Sequence, residues 1–333
     1  MSFIEAIRDY QSGRLKAARE KLTMLEGIDS KLLYVRIHTR LRDTTNANGA
    51  IELARDLLAS GDVELRDRIQ AGILLSFLLA RTGGVGAADR CIQETKQLAR
   101  KTTMTLELES ELWFGDAVVL FAQGRSHESE RSAWNAIYAD LEFGHCTSET
   151  NNLMAPIQTT KARAFVVLGL IRASQERYHE QYRFLREAMV LLRIAPAKDL
   201  YLIGVLHANR SFYARDLGVL SEIVEFEAIR HEPWPEDIAE SRLEIARSLG
   251  YLYALKGDDG AAISSFREAS NYTVSDANRL LLISDEAYIS RQRELPSILY
   301  ETWPKDAGSR ILSIGSRSMS SATRFMLLLK NYR

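Results

Sequence analysis

The stretch that decides the fold runs from Leu243 to Ala269 and reads LEIARSLGYLYALKGDDGAAISSFREA. Both ends of the stretch carry small and apolar residues at helical spacing. Between them, Lys256 to Gly260 interrupts the pattern with two glycines and two aspartates, which is typical of a tight turn. The stretch therefore predicts two helices joined by a short turn, with their apolar stripes facing each other. These stripes are Leu243, Ala246, Leu249, Gly250 and Tyr253 on the first helix, and Ala261, Ala262, Phe266 and Ala269 on the second.

The order of small and aromatic residues in this hairpin resembles the tetratricopeptide repeat. That repeat has the pattern W-x2-L-G-x2-Y in its first helix, followed by A-x3-F and a closing proline. Ala246 stands at the place of the tryptophan, and Val274 lies near the place of the missing proline. The resemblance implies that the small residues let the two helix backbones approach while the aromatic residues fill the space beside them. The residues in register are Leu249, Gly250, Tyr253, Ala262, Phe266 and Ala269.

The same pattern returns along the chain and predicts about seven helical hairpins. Glycines at Gly13, Gly83-Gly84, Gly124 and Gly218 mark turns, and Asn46 to Gly49 is interpreted as the turn of the second hairpin. The sixth hairpin fits the pattern poorly. Because the repeat recurs, we expect an all-α, right-handed superhelix, that is, a solenoid in which each repeat contacts its neighbours. The predicted hairpins span residues 3–25, 32–58, 67–100, 106–141, 159–193, 200–230 and 243–269, and the Gly250 place falls on Ala6, His38, Ser76, Ala117, Gly169, Ser211 and Gly250.

The array is expected to occupy residues 1–274, and residues 275–333 are expected to form a C-terminal helical cap that covers its last apolar face. Gly144 to Pro156 is the longest break in the pattern and is either a loop that folds over a ligand or a linker. Lys305 to Arg333 carries six basic residues and one acidic residue, so it is either a docking site for nucleic acid or an acidic partner, or a solvated helix face. Phe325 to Leu329 offers an apolar patch through which two chains would pair as a homodimer.

Composition places the chain among cytoplasmic proteins without a membrane segment. Its 333 residues include 43 basic and 44 acidic side chains, so the net charge of −1 gives no general attraction to nucleic acid. Cys91 and Cys146 lie at no metal or redox spacing and suit a reducing compartment. Charged residues near the N-terminus exclude a signal peptide there. The longest apolar run, Ala71 to Ala80, is too short to cross a bilayer.

No motif for catalysis, a metal or a cofactor is found, and we therefore expect a binding protein and no enzyme. Gly83 to Gly86 lacks the lysine of a phosphate-binding loop and follows a predicted helix, so it is interpreted as a plain turn. None of the six histidines pairs with another histidine or a cysteine at i, i+4. A catalytic triad is assembled in space and leaves no local spacing, so an acid–base cluster in the groove would restore the enzyme hypothesis.

The resemblance implies that a protein or peptide partner binds in a concave groove, and it selects three candidate binding residues. Asn209 lies on the first helix of the sixth hairpin, where an amide of the family often binds a peptide backbone by donating and accepting at once. Arg247 takes the neighbouring groove place in the seventh hairpin, and Arg163 takes an early place in the fifth. Arginines there would bind a carboxylate with both guanidinium nitrogens. The alternative is that Asn209 bridges helices and both arginines are solvated.

Two functions remain open at this point. The first is an adaptor that scaffolds other proteins. The second is a regulator, similar to bacterial tetratricopeptide regulators, that changes curvature when a peptide or small molecule binds and then acts through a partner. The sequence contains no recognisable N-terminal DNA-binding domain, which argues against a self-contained transcription factor.

Overall fold

The computed structural model describes residues 2–41, 47–142, 157–195, 199–232, 234 and 239–272, without the side chains of 140–142 and 239–240. The predicted break at 144–156, the cap at 275–333 and its basic tail lie outside these residues. The chain divides into two compact units, Met1–Ile203 and Gly204–Arg333, which are described separately. The described residues form fourteen α-helices and one 3₁₀ helix, and they contain no strand. The fold is all-α, as the repeat pattern predicted.

The helices follow one another as hairpins. In both units, first helices pack against the second helices that follow them, namely α1 with α2, α3 with α4, α5 with α6, α7 with α8, α9 with α10, and α13 with α14. The division between the units falls inside α11. The bounds are α1 Phe3–Gln11, α2 Leu15–Leu22, α3 Ile28–His38, α4 Ala47–Ala59, α5 Leu65–Arg81, α6 Val85–Ala99, α7 Leu106–Ala122, α8 Ser126–Glu142, α9 Ile157–Ser174, α10 Tyr178–Ile194, α11 Leu200–Leu217, the 3₁₀ helix Leu220–Glu222, α12 Ile223–Arg230, α13 Ala239–Lys256 and α14 Asp259–Asn271.

Six first helices end in the same left-handed turn. In each, one residue has positive φ, and the backbone N–H of the next residue donates to the carbonyl oxygen five positions earlier, as in a Schellman motif. Glycine suits this conformation because it lacks the Cβ that clashes there. The fifth hairpin departs from the rule, because Glu176 occupies the place with φ of 59°. The glycines of the other five turns are Gly13, Gly83, Gly124, Gly218 and Gly257.

Small residues let paired helices come close together, and six of the seven aligned repeat positions carry one, His38 being the exception. All seven positions aligned with Gly250 are buried. Gly250 shows why: a Cβ atom there would lie only 2.6 Å from Cε1 of Phe266, which is itself 1% exposed. Gly72 on α5 is similar, since a Cβ would lie 2.2 Å from Oγ1 of Thr95 on α6. Helix contacts of this closeness agree with the prediction that small residues let the helices approach each other, with Phe266 filling the space beside Gly250.

The second hairpin corrects one prediction. The helix α4 begins at Ala47, so Asn48 and Gly49 lie in its first turn and are not part of the connecting turn. The backbone N–H groups in the first turn of a helix have no hydrogen-bond partner within the helix, so residues typical of turns are tolerated there. The sixth hairpin is irregular as its weak pattern predicted, because α11 is followed by a 3₁₀ turn and then by α12 of only 8 residues.

The first helices of the first unit form one continuous face. The helices α3, α5, α7 and α9 pack side by side in this order, and we call their shared surface the first-helix face. The start of α11 returns to the end of α3, since the Tyr201 hydroxyl donates to the carbonyl oxygen of Arg40 at 3.1 Å. Tyr201 also packs against the apolar cluster around Tyr10 and Leu33. Segments 161 residues apart in sequence therefore meet within this unit.

Candidate functional site

A cavity of about 280 Å³ opens on the first-helix face. Its wall contains three aromatic rings and two arginines, and all four first helices of the face contribute to it or to its margin. We call it the Arg163 cavity. It is lined by Thr39 after α3, by Phe77, Ala80 and Arg81 of α5, by Phe114, Val118, Phe121 and Ala122 of α7, and by Arg163 of α9.

Two buried ion pairs lie in the same region. Arg36 of α3 binds Glu111 of α7 with both guanidinium nitrogens, at 2.5 and 3.0 Å, and both side chains are at most 3% exposed. Arg40 pairs with Asp199 at the start of α11, and the Arg40 guanidinium lies 4.5 Å from the ring centre of Tyr10. Carboxylates raise the pKa of both arginines against the opposing effect of burial. These pairs connect α3 to α7 and to α11.

Arg163 is the member of this group that has no carboxylate. Its guanidinium lies 4.5 Å from the ring centre of Phe114 and 5.4 Å from that of Phe77. Among the described residues it makes no ion pair or hydrogen bond. Burial, reinforced by the like charges of Arg40 and Arg36, lowers the pKa of Arg163 from its usual range to about 10. Of the three guanidinium groups of Arg36, Arg40 and Arg163, two are paired with carboxylates, and the third, that of Arg163, faces the cavity.

Arg81, the second arginine of the cavity, is engaged in structure. Its guanidinium donates to the carbonyl oxygens of His38 and Thr39 at 3.3 and 2.8 Å, and also to that of Leu41. These carbonyls lie at the C-terminal end of α3, where the last carbonyl oxygens of a helix have no partner within it. Arg81 therefore caps α3, and Arg163 remains as the cation available to a ligand in this cavity.

The other two predicted site residues lie in the second unit. Asn209 is exposed on α11 and makes no hydrogen bond to the described residues, so it is not buried between helices. Arg247 on α13 is partly buried, and its guanidinium lies 5.7 Å from the ring centre of Tyr251. The binding role of all three residues remains a prediction, and Arg163 alone is placed in the cavity described above.

Arginines next to these positions in the second unit are matched by acids. Arg210, the neighbour of Asn209, is buried and pairs with Glu222 and Glu225. Arg215 pairs with Glu244 at 2.9 Å. Each carboxylate neutralises the charge that burial would otherwise destabilise, so neither arginine resembles Arg163 in its surroundings.

Several groups around the cavity could not be selected from local spacing. Arg36 and Glu111 are 75 residues apart, and Phe77 and Phe114 reach Arg163 from two other helices. One signal was present in the sequence, because Glu111 stands directly before the apolar run of α7, LELESELWFGDAVVLFA. A charged residue on a helix that is buried nearly all round requires a partner.

The described residues contain neither a metal-binding cluster nor a thiol that is reactive near neutral pH. They contain no cluster of three histidine, cysteine or acidic side chains that could hold a metal ion. Burial raises the pKa of Cys91 to about 11, which keeps its thiol protonated and unreactive near neutral pH. No helix in the described ranges is both long and apolar enough to cross a membrane.

Comparisons with known proteins identify the fold. No protein-family model matches the sequence, and no curated protein matches it. Among solved structures, the chain is similar to the apo form of RapI, with 13% identity and a TM-score of 0.52, over 99% of this chain and 93% of that one. It is similar to BtubC (BKLC) from P. vanneervenii, with 17% identity and a TM-score of 0.51, over 69% and 89%. It is also similar to the apo form of the quorum sensor NprR from B. thuringiensis, with 14% identity and a TM-score of 0.50, over 91% and 80%. Together with the paired helices and the repeat pattern, these similarities show that the chain has a tetratricopeptide-like helical-repeat fold.

Proposed function

We propose that this protein is a peptide- or protein-binding scaffold whose ligand places a carboxylate on Arg163. The observation that carries this proposal is the unmatched guanidinium of Arg163, held against two phenyl rings at the wall of a cavity. A partly buried cation without a counter-ion costs folding free energy. A ligand that supplies the missing carboxylate recovers that cost and gains a charge-assisted hydrogen bond with a planar partner.

The size and lining of the cavity favour one end or one side chain of a larger ligand. Small-molecule pockets commonly measure about 300–1,000 Å³, and a cavity of about 280 Å³ lies at the lower limit of that range. Phe77, Phe114 and Phe121 would contact apolar atoms next to the carboxylate. The rest of the ligand would follow the first-helix face. A peptide meets these needs because it always has a terminal carboxylate and often carries acidic side chains.

The experiment is an affinity capture from the source cell with the full chain, followed by mass spectrometry of proteins, peptides and small molecules. Wild type is compared with Arg163→Gln, and with Asn209→Ala and Arg247→Gln in the second unit. We expect a ligand that is retained by wild type and absent from folded Arg163→Gln. A ligand that Arg163→Gln retains in full would contradict the proposal, and loss in Asn209→Ala or Arg247→Gln alone would assign the site to the second unit.

A ligand-sensing regulator is the second candidate, and one contact favours it. Arg40 lies close enough to Arg163 to lower its pKa, and Arg40 is also the residue that pairs with Asp199 at the start of α11. A carboxylate that binds next to Arg163 would compete with Asp199 for this positive charge. Ligand binding would then weaken the connection between the ends of α3 and α11. The similarity to the quorum sensor NprR concerns the fold, so this candidate depends on the contact itself.

Small-angle X-ray scattering separates the two candidates. Scattering is measured on wild type and on Asp199→Asn, with and without the captured ligand. A regulator should change its radius of gyration on binding, and Asp199→Asn should resemble the bound state without ligand. Identical curves for all four samples would support a scaffold that binds without changing shape.

A further inference from the structure

A second and larger concavity lies on the second and third hairpins. It has a volume of about 600 Å³ and is formed by α4 and α6, with α5 as its floor. We call it the α4–α6 groove. None of its residues belongs to the Arg163 cavity. It is lined by Arg55, Leu58 and Ala59 of α4, by Arg68, Leu75 and Leu79 of α5, and by Ala87, Arg90, Cys91, Glu94, Gln97, Leu98 and Lys101 of α6 and the turn after it.

The α6 residues of the groove form one regular stripe. They recur at three- and four-residue steps from Ala87 to Lys101, so a single side of the helix faces the groove. At a rise of about 1.5 Å per residue, this stripe is about 21 Å long, which matches a helix of about 14 residues. Leu75 and Leu79 repeat at i, i+4 along the floor. A partner helix laid along α6 would therefore contact this stripe over its length, as in complexes where a helix binds in a groove.

Positive charge is concentrated along the α4–α6 groove. Four basic residues line it and Glu94 is its only acidic lining residue, although the whole chain carries a net charge of −1. Arg68 is engaged, because its Nε donates to the carbonyl oxygen of Leu58 at 2.9 Å. Arg55, Arg90 and Lys101 are exposed, and they make no ion pair or hydrogen bond with any described residue. Three cations that have no partner among the described residues thus surround an apolar floor.

The floor combines two buried leucines with apolar side chains that the fold only partly covers. Leu75 and Leu79 retain 3% and 8% of their exposure, and Leu58, Ala87 and Leu98 are partly buried. Cys91 also lies there, but its thiol approaches the carbonyl oxygen of Gly72 at 3.4 Å and its pKa is raised to about 11. A thiol held in this way does not react at neutral pH, so the groove is suited to reversible contacts.

We propose that the α4–α6 groove binds an acidic amphipathic helix of a partner protein. Leucine-type side chains on one face of that helix would pack on the partly buried Leu58, Ala87 and Leu98. Carboxylates flanking this face would meet Arg55, Arg90 and Lys101. Nucleic acid fits less well, because a polyanion does not use an apolar floor. The chain's own segment 305–333 does not fit either, since its six basic residues against one acidic residue would be repelled. The proposal is independent of the ligand at Arg163.

The first experiment is selection from a displayed library of random 16-residue peptides against the full chain. We expect enrichment of sequences with acidic residues and with apolar residues at i, i+3, i+4 and i+7. Selection is repeated against the double charge reversal Arg55→Glu/Arg90→Glu. The matched control is Arg100→Glu/Arg131→Glu, which makes the same change in net charge at two exposed positions outside the groove. Circular dichroism verifies that each variant is folded.

The second experiment measures the affinity of the enriched peptides by fluorescence anisotropy. We expect Arg55→Glu/Arg90→Glu to weaken binding at least tenfold, the control to change it by less than twofold, and added salt to weaken it in wild type. Arg163→Gln should bind these peptides as wild type does, which separates this site from the proposed carboxylate site. Enrichment without acidic bias, no enrichment, or equal binding to the groove variant would overturn the proposal. So would groove-dependent binding of a labelled RNA in place of the peptides.

Discussion

Substitution of Gly250 by alanine tests the helix packing on which the whole fold depends. A Cβ atom at this position would lie 2.6, 2.7 and 2.8 Å from three atoms of the Phe266 ring. These distances are about 1 Å shorter than the optimal separation of about 3.5–4.0 Å between carbon atoms. Phe266 is only 1% exposed and packs edge-on against Tyr251 at 5.2 Å, so its ring has no free space into which to move.

The expected magnitude follows from two opposing terms. Overpacking a buried site costs about 1–3 kcal/mol, and three clashing ring atoms place Gly250→Ala near the upper end. Alanine gains about 1 kcal/mol over glycine in the interior of a helix. We therefore expect the α13–α14 hairpin to lose about 2 kcal/mol of stability. Gly169→Ala is the matched control, because its Cβ would meet its nearest neighbours at an ordinary 3.6 Å, and it should stabilise α9 by about 1 kcal/mol.

Hydrogen exchange read by mass spectrometry is the suitable assay, since repeats of a solenoid open locally. Gly250→Ala should lower the protection of residues 243–269 by about 30-fold, whereas Gly169→Ala should raise that of α9 by about fivefold. The two glycines would thus respond with opposite signs. Unchanged or increased protection of residues 243–269 in Gly250→Ala would refute the reasoning that close helix contact requires this glycine.

Three further predictions concern charge and backbone. Arg163→Met should stabilise the ligand-free protein by about 1–3 kcal/mol in urea unfolding near pH 7. The pKa of Arg163 is lowered to about 10 in the folded protein, so its charge favours unfolding at any pH below that value, and this cost fades between about pH 10 and 12.5. Destabilisation by Arg163→Met would contradict this prediction. Glu111→Gln should destabilise the first unit by about 3–5 kcal/mol, since Arg36 stays buried without its counter-charge, and a loss below about 1 kcal/mol would show that water replaces the carboxylate. Glu176→Gly should raise the stability of the fifth hairpin by about 0.5–1 kcal/mol in hydrogen exchange, because glycine adopts φ of 59° without strain, and reduced protection would oppose it.

The sequence was sufficient for the fold because the repeat is encoded locally. Turn glycines, small residues and aromatic residues of one repeat lie within a single hairpin, so the facing stripes that contain Gly250 and Phe266 could be predicted from their spacing alone. The errors came where local signals have two meanings. Asn48 and Gly49 were interpreted as a turn, but they lie in the first turn of α4, where polar and flexible residues are also tolerated.

The candidate site was less accessible to sequence reasoning because it is assembled from distant helices. Arg163 was selected from its place in the repeat, but its significance depends on Phe77 and Phe114 and on the absence of a carboxylate beside it. No spacing rule pairs Arg36 with Glu111 across 75 residues, and without that pair the unmatched charge of Arg163 is not evident. Asn209 was favoured for the family resemblance, and it lies exposed in the other unit.

The Arg163 cavity also illustrates a balance between stability and function. Glu111 and Asp199 neutralise Arg36 and Arg40, so the protein is able to match buried arginines with acids in this region. A third acid beside Arg163 would have been the more stable arrangement. Its absence leaves a cost that a bound carboxylate can recover, which is the physical basis for assigning this region to a ligand.

The central claim is that a ligand carboxylate binds Arg163, and a double-mutant cycle measured by titration calorimetry tests it most directly. The captured ligand is prepared as the free acid and with each carboxylate replaced by an amide, and both forms are titrated into wild type and Arg163→Gln. We predict that one amide replacement weakens binding to wild type at least tenfold and changes binding to Arg163→Gln by less than twofold, since the two groups contact each other. Losses that simply add, for every carboxylate of the ligand, would contradict the claim.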